Sequence, residues 1–136
     1  MPDAHILRHD TDKPLSQFVA DLAAAARDKG FLIHNEDKME MSHTFGRHGV
    51  EVAEGFDLHM IQICNPGKAA ASMQRNPERA PLIPKFIIAF TRDGKTCVRM
   101  LRISSGLTAA LLDDEDFPAS LEQSYDTIED IIQRAC

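Results

Sequence analysis

Four residues, Cys64, Asn65, Gly67 and Lys68, concentrate the chemistry of the stretch Ile61-Gln62-Ile63-Cys64-Asn65-Pro66-Gly67-Lys68-Ala69-Ala70. An apolar strand runs here straight into a helix start. Asn65 is an N-cap whose side-chain oxygen accepts from amides two or three residues on, and Pro66 takes the first helical position, where a missing N–H is no loss. A thiol is thereby set at a helix N-terminus, where the dipole lowers a cysteine pKa from about 8.5 and favours the nucleophilic thiolate. Against this, strand alternation puts Cys64 on the face of Met60, Leu58 and Phe56, an apolar wall that desolvates a thiolate and raises its pKa. The wall predicts slow alkylation of Cys64, with Cys97 on a strand that covers it. Lys68 in the first turn opposes the helix dipole, yet its ammonium together with free amides at Gly67 and Lys68 suits a phosphate, carboxylate or sulfur oxyanion. Gly67 would let such an anion approach the backbone closely. The plain alternative is a surface lysine that serves solubility.

Other reactive side chains are less well placed. His59 lies five residues before Cys64, which on a regular strand sets the two on opposite faces and removes a Cys/His dyad. His43 and His48 would need a helix to converge on a metal or a haem edge, and Gly46 between them works against one. They read as solvated loop histidines, and no metal site and no cofactor are assigned. Phe45 and Phe56 read as core in preference to ligand-flanking rings. The acidic run Asp113-Asp114-Glu115-Asp116 reads as a solvated connection, since a calcium loop needs alternating ligands and a turn glycine. Three functional classes follow, in this order: a small-ligand or anion-binding module at residues 64–68, a thiol protein that carries or exchanges sulfur at Cys64, and a dimeric interaction domain. The first needs a concave pocket near Gly67 and Lys68, the second an accessible thiolate, the third neither.

Composition narrows the partners. The chain has 136 residues, 43% hydrophobic and 26% charged, which fits one soluble domain over residues 1–136. Fifteen basic against 21 acidic residues give a net charge of -6, which disfavours nucleic acid, whose binding proteins neutralise backbone phosphates. No apolar run approaches the roughly 20 residues of a membrane span, and Met1-Pro2-Asp3-Ala4-His5 has no secretory signal pattern. A cytoplasmic protein without a membrane partner is expected. Cys64, Cys97 and Cys136 are odd in number and lack CxxC spacing, so they are expected reduced.

The elements that must position the site follow from spacing. Ala4–Arg8 predicts a short strand. Thr11-Asp12-Lys13-Pro14 opens a helix whose stripe is Leu15, Phe18, Val19, Leu22 and Ala26 and which stops at Gly30. A strand at 31–33 gives way to the polar segment Asn35-Glu36-Asp37-Lys38, and no element is assigned from Met39 to Glu54. A strand from Phe56 to Cys64 leads into a short alanine-rich helix over Lys68 to Arg75, ended by Asn76-Pro77. Phe86 to Phe90 is too apolar for a half-exposed strand and is predicted central; Arg92-Asp93-Gly94-Lys95 turns it into an antiparallel partner over 96–103. A last helix starts at Pro118 with Leu121, Tyr125, Ile128, Ile132 and Ala135 on one stripe. The order β-α-β-β-α-β-β-α predicts an α+β two-layer sandwich, helices on one face of a largely antiparallel sheet.

Ile63-Cys64-Asn65-Pro66, the alanine-rich helix, Asn76-Pro77, Leu82-Ile83-Pro84, the Asp93-Gly94 hairpin and Lys29-Gly30-Phe31 occur in an order that resembles the domain-of-unknown-function family 302. The resemblance runs from Leu15 to Ile103 and implies the same two-layer domain in small bacterial cytoplasmic proteins, with a homodimer as the expected assembly. The family pattern falls on Cys64, Asn65, Pro66 and Pro84. It brings no catalytic assignment, and Phe45 to Glu54 carry none of its motifs.

Overall fold

The longer strands of this chain carry apolar residues at one set of alternate positions, so pairing them builds a sheet with a continuous apolar face that helices must cover. A computed structural model describes residues 2–136. Five strands, β1 (Ala4–Thr11), β2 (Leu32–Ile33), β3 (Leu58–Cys64), β4 (Lys85–Arg92) and β5 (Lys95–Ile103), form a single sheet in the order β1-β5-β4-β3-β2, with every neighbouring pair antiparallel. β4 is central in the order, as expected, but it is not covered on both faces: Ile87 and Ala89 are buried under the helices, while Phe86, on the other face, is 39% exposed. The β4–β5 hairpin turns at Asp93 and Gly94, both with positive φ (53° and 76°), the conformation that the Asp-Gly pair tolerates best.

Two helices cover one face. α1 (Leu15–Asp28) leaves β1 at one edge and crosses the sheet to deliver β2 at the other; α5 (Phe117–Ala135) packs beside it. Leu15, Phe18, Leu22 and Ala26 of α1 are buried, with Leu121, Tyr125, Ile128, Ile132 and Ala135 of α5, against Leu7, Ile61, Ile63, Ile87, Ala89, Val98 and Met100 of the sheet. The fold is α+β, with the helical stripes read from spacing facing the sheet. Gly30 ends α1 in the left-handed region (φ 78°), where a side chain would be strained. The opposite sheet face carries Leu58, Met60, Ile88, Phe90 and the exposed Ile6, Phe86 and Leu101. No described helix is long and apolar enough to cross a membrane.

The structure corrects several expectations. Met41–Arg47 forms a helix, α2, in the segment to which no element had been assigned. Gly46 does not prevent it because it lies in the last turn, where its cost is small, and an isolated bridge between Glu40 and His59 anchors the helix start to β3. His43 therefore sits on a helix and His48 at its end, both exposed. Phe45 and Phe56 lie outside the core; their rings pack on each other at 6.3 Å, with Phe56 left 38% exposed. Asn35 is more than a surface residue, since its side chain donates to Met60 O and accepts from Gln62 N, continuing the pairing of β3 past the two residues of β2. The helix after Cys64, α3 (Pro66–Arg75), starts at the proline and leads into a 3-10 turn over Pro77–Leu82. A further helix, α4 (Ser105–Leu111), is capped by Ser104 Oγ, which accepts from Leu107 N at 2.9 Å.

The acidic run is not wholly solvated. Asp114 and Arg79 form an ion pair with both side chains 6% exposed. Arg79 donates through Nε and Nη2 to the two carboxylate oxygens at 2.7 and 2.9 Å, and Asn76 adds a third bond at 2.9 Å. The same carboxylate accepts from the amides of Asp116 and Phe117, so it also caps the start of α5. Arg79, then Asn76, hold the Asp114 carboxyl far below the usual carboxylate range, with burial opposing and the two amides assisting.

Candidate functional site

Where β3 ends, the chain must leave the sheet, and Asn65 and Pro66 make it leave as a helix. Asn65 Oδ1 accepts from Lys68 N at 3.1 Å, the N-cap expected of this residue. The bond uses the Lys68 amide, so that amide is not free for an anion. The Lys68 side chain reaches toward α5, where Nζ lies 3.4 Å from Ser120 O.

A cavity of about 40 Å³ opens between this junction and α5. Cys64, Asn65 and Lys68 line it; Gly67, the fourth residue singled out from sequence, does not. A Cβ added at Gly67 would meet nothing closer than its own cap, 3.9 Å away, so the position makes no close approach to another element. The apolar wall consists of Phe31, Ile63, Phe117, Leu121 and Ile128, and Ser72, Ser120 and Ser124 contribute hydroxyls.

Lys85, the first residue of β4, is the second cation in this cavity. Period-two alternation places it with Ile87 and Ala89 on the helix-covered face, and its ammonium donates to Ile83 O at 2.8 Å and stands 5.5 Å from the centre of the Tyr125 ring. Its pKa is pushed down from 10.5 to about 8, first by burial and then by the Lys68 charge, with Cys64 acting in the opposite direction. Burial also lowers the Lys68 pKa. Among the described residues no carboxylate lines the cavity. Two ammonium groups thus face one apolar-walled space without a counter-ion, an arrangement that favours an anion. Sequence reading missed Lys85, although a lone lysine between Pro84 and the apolar run Phe86–Phe90, in phase with the inward residues, is a signal for it.

Cys64 is half-buried and Cys97 buried. Cys64, the last residue of β3, lines the cavity that α5 closes, whereas Leu58 and Met60 of the expected wall do not. Cys97 does not cover it: β4 stands between their strands, and Cys97 pairs with Phe90, which pairs with Leu58 at the far end of β3. His59 lies on the opposite, buried face with Ile61 and Ile63.

A second cavity, of about 190 Å³ and strongly polar, lies beside α2 and is lined by Glu36, Asp37, Glu40, His43, Arg47 and His59, among others. His43 Nδ1 is 2.9 Å from Glu40 Oε2, and the buried His59 is 3.7 Å from both Glu40 and Asp57. His48 is not part of it. Among the described residues no three metal-ligating side chains form a cluster able to hold an ion.

The family model of the domain of unknown function DUF302 matches residues 7–135. The chain belongs to the DUF302 family. The match reaches beyond the Leu15–Ile103 stretch that carries the motifs, so most of β1 and all of α5, which closes the cavity, fall within the DUF302 match. No curated protein matches the chain. Among solved structures, the crystal structure of an uncharacterized conserved DUF302 protein from Bacillus stearothermophilus superposes with a TM-score of 0.77 at 13% identity, over 96% of this chain and 98% of that one. At that identity the likeness speaks for the fold.

Proposed function

We propose that this DUF302 protein binds a small ligand with an anionic group, a carboxylate, phosphate or sulfur oxyanion, in the cavity between the Cys64–Lys68 junction and α5. The observation that carries the reading is the convergence of Lys68 and Lys85 on an apolar-walled cavity that contains no carboxylate. A half-buried ammonium is held against its own preference for water, and a bound anion returns the lost stabilisation with less desolvation than a fully hydrated site would demand.

The titration of Lys85 makes the reading pH-dependent. Lys68, Cys64 and Tyr125 are the other titratable groups around it. Binding of acetate, phosphate or sulfate, followed by backbone amide shifts at Lys68 and Ser120, is expected to weaken as pH rises through about 8, where Lys85 loses its proton. The sign for stability is the reverse. Because the folded pKa is below the unfolded 10.5, the folded state bears the full cost of the charge below about pH 8, and stability climbs between there and 10.5 as the unfolded chain binds the extra proton. Lys85→Met is therefore expected to raise stability at pH 7 by about 1–2 kcal/mol, the relieved charge cost less the hydrogen bond to Ile83 O, while it abolishes anion binding. The gain should vanish by pH 10.5. Anion binding that is unchanged in Lys85→Met would remove the proposal.

Cys64 supports the alternative of a thiol protein only through its place on the cavity wall. Its labelling by iodoacetamide is expected to be slower in the folded protein than in the denatured chain, faster than that of Cys97, and slower again with acetate bound. Folded-state labelling faster than in denaturant would put sulfur chemistry first.

A further inference from the structure

The two lysines of the cavity are not equivalent. Lys68 reaches in from the first turn of α3 and its ammonium approaches a backbone carbonyl of α5 at 3.4 Å. Lys85 lies deeper, on the central strand, with its Nζ fixed between Ile83 O and the Tyr125 ring. Resting on the anion-binding reading above, we propose that Lys85 is a nucleophilic lysine that condenses with the carbonyl group of a two- or three-carbon 2-oxo acid, whose carboxylate is held by Lys68.

Three features of the cavity fit that chemistry. The cavity, of about 40 Å³, has room for about three water-sized volumes, which favours a short acid over a long one. In a 2-oxo acid the carboxylate and carbonyl carbons are bonded neighbours, so the ligand needs a cation and an amine on one small cavity, as Lys68 and Lys85 are. The apolar side, Ile63, Leu121 and Ile128, would take a methyl group and limit water at the carbon. A lysine desolvated beside a second cation is the established way in which a protein obtains a free amine near neutral pH, and the lowered pKa of Lys85 agrees with it.

The step balances without a further reactant. Lys85 gives one proton to solvent, and the Nζ lone pair forms a C–N bond as the carbonyl π pair moves to oxygen, which takes up a proton. The resulting carbinolamine loses its remaining nitrogen proton and the hydroxyl as water, leaving an imine; no atom is oxidised or reduced.

The test uses the full chain with pyruvate and sodium cyanoborohydride, which delivers hydride to an imine carbon and makes the bond permanent. Intact mass is expected to rise by one pyruvate less one oxygen, and peptide mapping to place the adduct on Lys85 at least about tenfold faster than on the exposed Lys95. Lys85→Arg, which keeps the charge but forms no imine, should lose the adduct. Adducts spread evenly over surface lysines, or none, would overturn the proposal. Lactate, which has the carboxylate but no carbonyl, separates the two readings: amide shifts at Lys68 with lactate, but no pyruvate adduct on Lys85, would refute the imine and leave anion binding standing. No response to either compound would remove both.

Discussion

Leu22→Asp and Ile128→Asp are each expected to leave the protein unfolded at room temperature. Leu22 is 0% and Ile128 1% exposed, one on α1 and one on α5, and both stripes face the sheet. An unpaired carboxylate buried there costs several kcal/mol, against a total stability of about 5–15 kcal/mol for a domain of this kind. Either variant should lose its cooperative melting transition by circular dichroism and its dispersed amide spectrum. Leu101→Asp is the control. Leu101 lies on the sheet face without helices and is 57% exposed, so its replacement should change stability by no more than about 0.5 kcal/mol. Melting of the Leu22 or Ile128 variants within a degree of the unmodified protein would contradict the packing of both helices on one sheet face.

Asp114→Ala is expected to lower the melting midpoint by on the order of 10 °C, because it leaves the Arg79 guanidinium buried without its partner and removes the cap of α5 in one change. Arg79 would keep only the bond to Ser72 Oγ at 3.1 Å and its approach to the Phe117 ring, 5.2 Å from the centroid. The double change Arg79→Met with Asp114→Leu should be milder than Asp114→Ala, since no charge is then left unpaired, although the amides of Asp116 and Phe117 still lose their acceptor. The pH dependence has a fixed sign. The folded carboxyl is held below its unfolded value, so its contribution is complete above an ordinary carboxylate pKa of about 4 and is lost only as pH falls through the lower folded value. Below that pH the protein and Asp114→Ala should converge. A variant that melts like the parent at pH 7 would show that the ion pair does not hold the 3-10 turn and α5 together. Phe117, buried at 3%, ties that turn to the cavity, so the same variant should also weaken anion binding.

Local signals made most elements legible. Leu15, Phe18, Leu22 and Ala26, or Leu121, Tyr125, Ile128 and Ile132, recur at helical spacing because one face must be buried; Asp93-Gly94 marks a hairpin because few residue pairs accept positive φ. Asn65-Pro66 declared a helix start for the same kind of reason, since capping involves neighbours in the chain. Segments held by distant partners were not legible. Met41–Arg47 is helical because Glu40 bridges to His59, nineteen residues on, and its own composition, with a glycine and few apolar residues, shows little of this. Asp114 looked solvated because its neighbours in sequence are acidic, while its partner Arg79 stands 35 residues away.

The candidate site divides in the same way. Residues and spacing alone determined that a cysteine, a cap and a lysine meet at the end of β3, because that juxtaposition is a matter of consecutive backbone. The tertiary structure decided that Lys68 points into a cavity, that Gly67 does not contribute to it, and that Lys85 from the next strand joins it beneath α5. Those facts depend on antiparallel register and on how α5 lies across the sheet, which are set by packing between residues far apart in the chain. The lowered pKa of Lys85 belongs to the same category, since burial and a neighbouring charge exist for it only once the chain has folded.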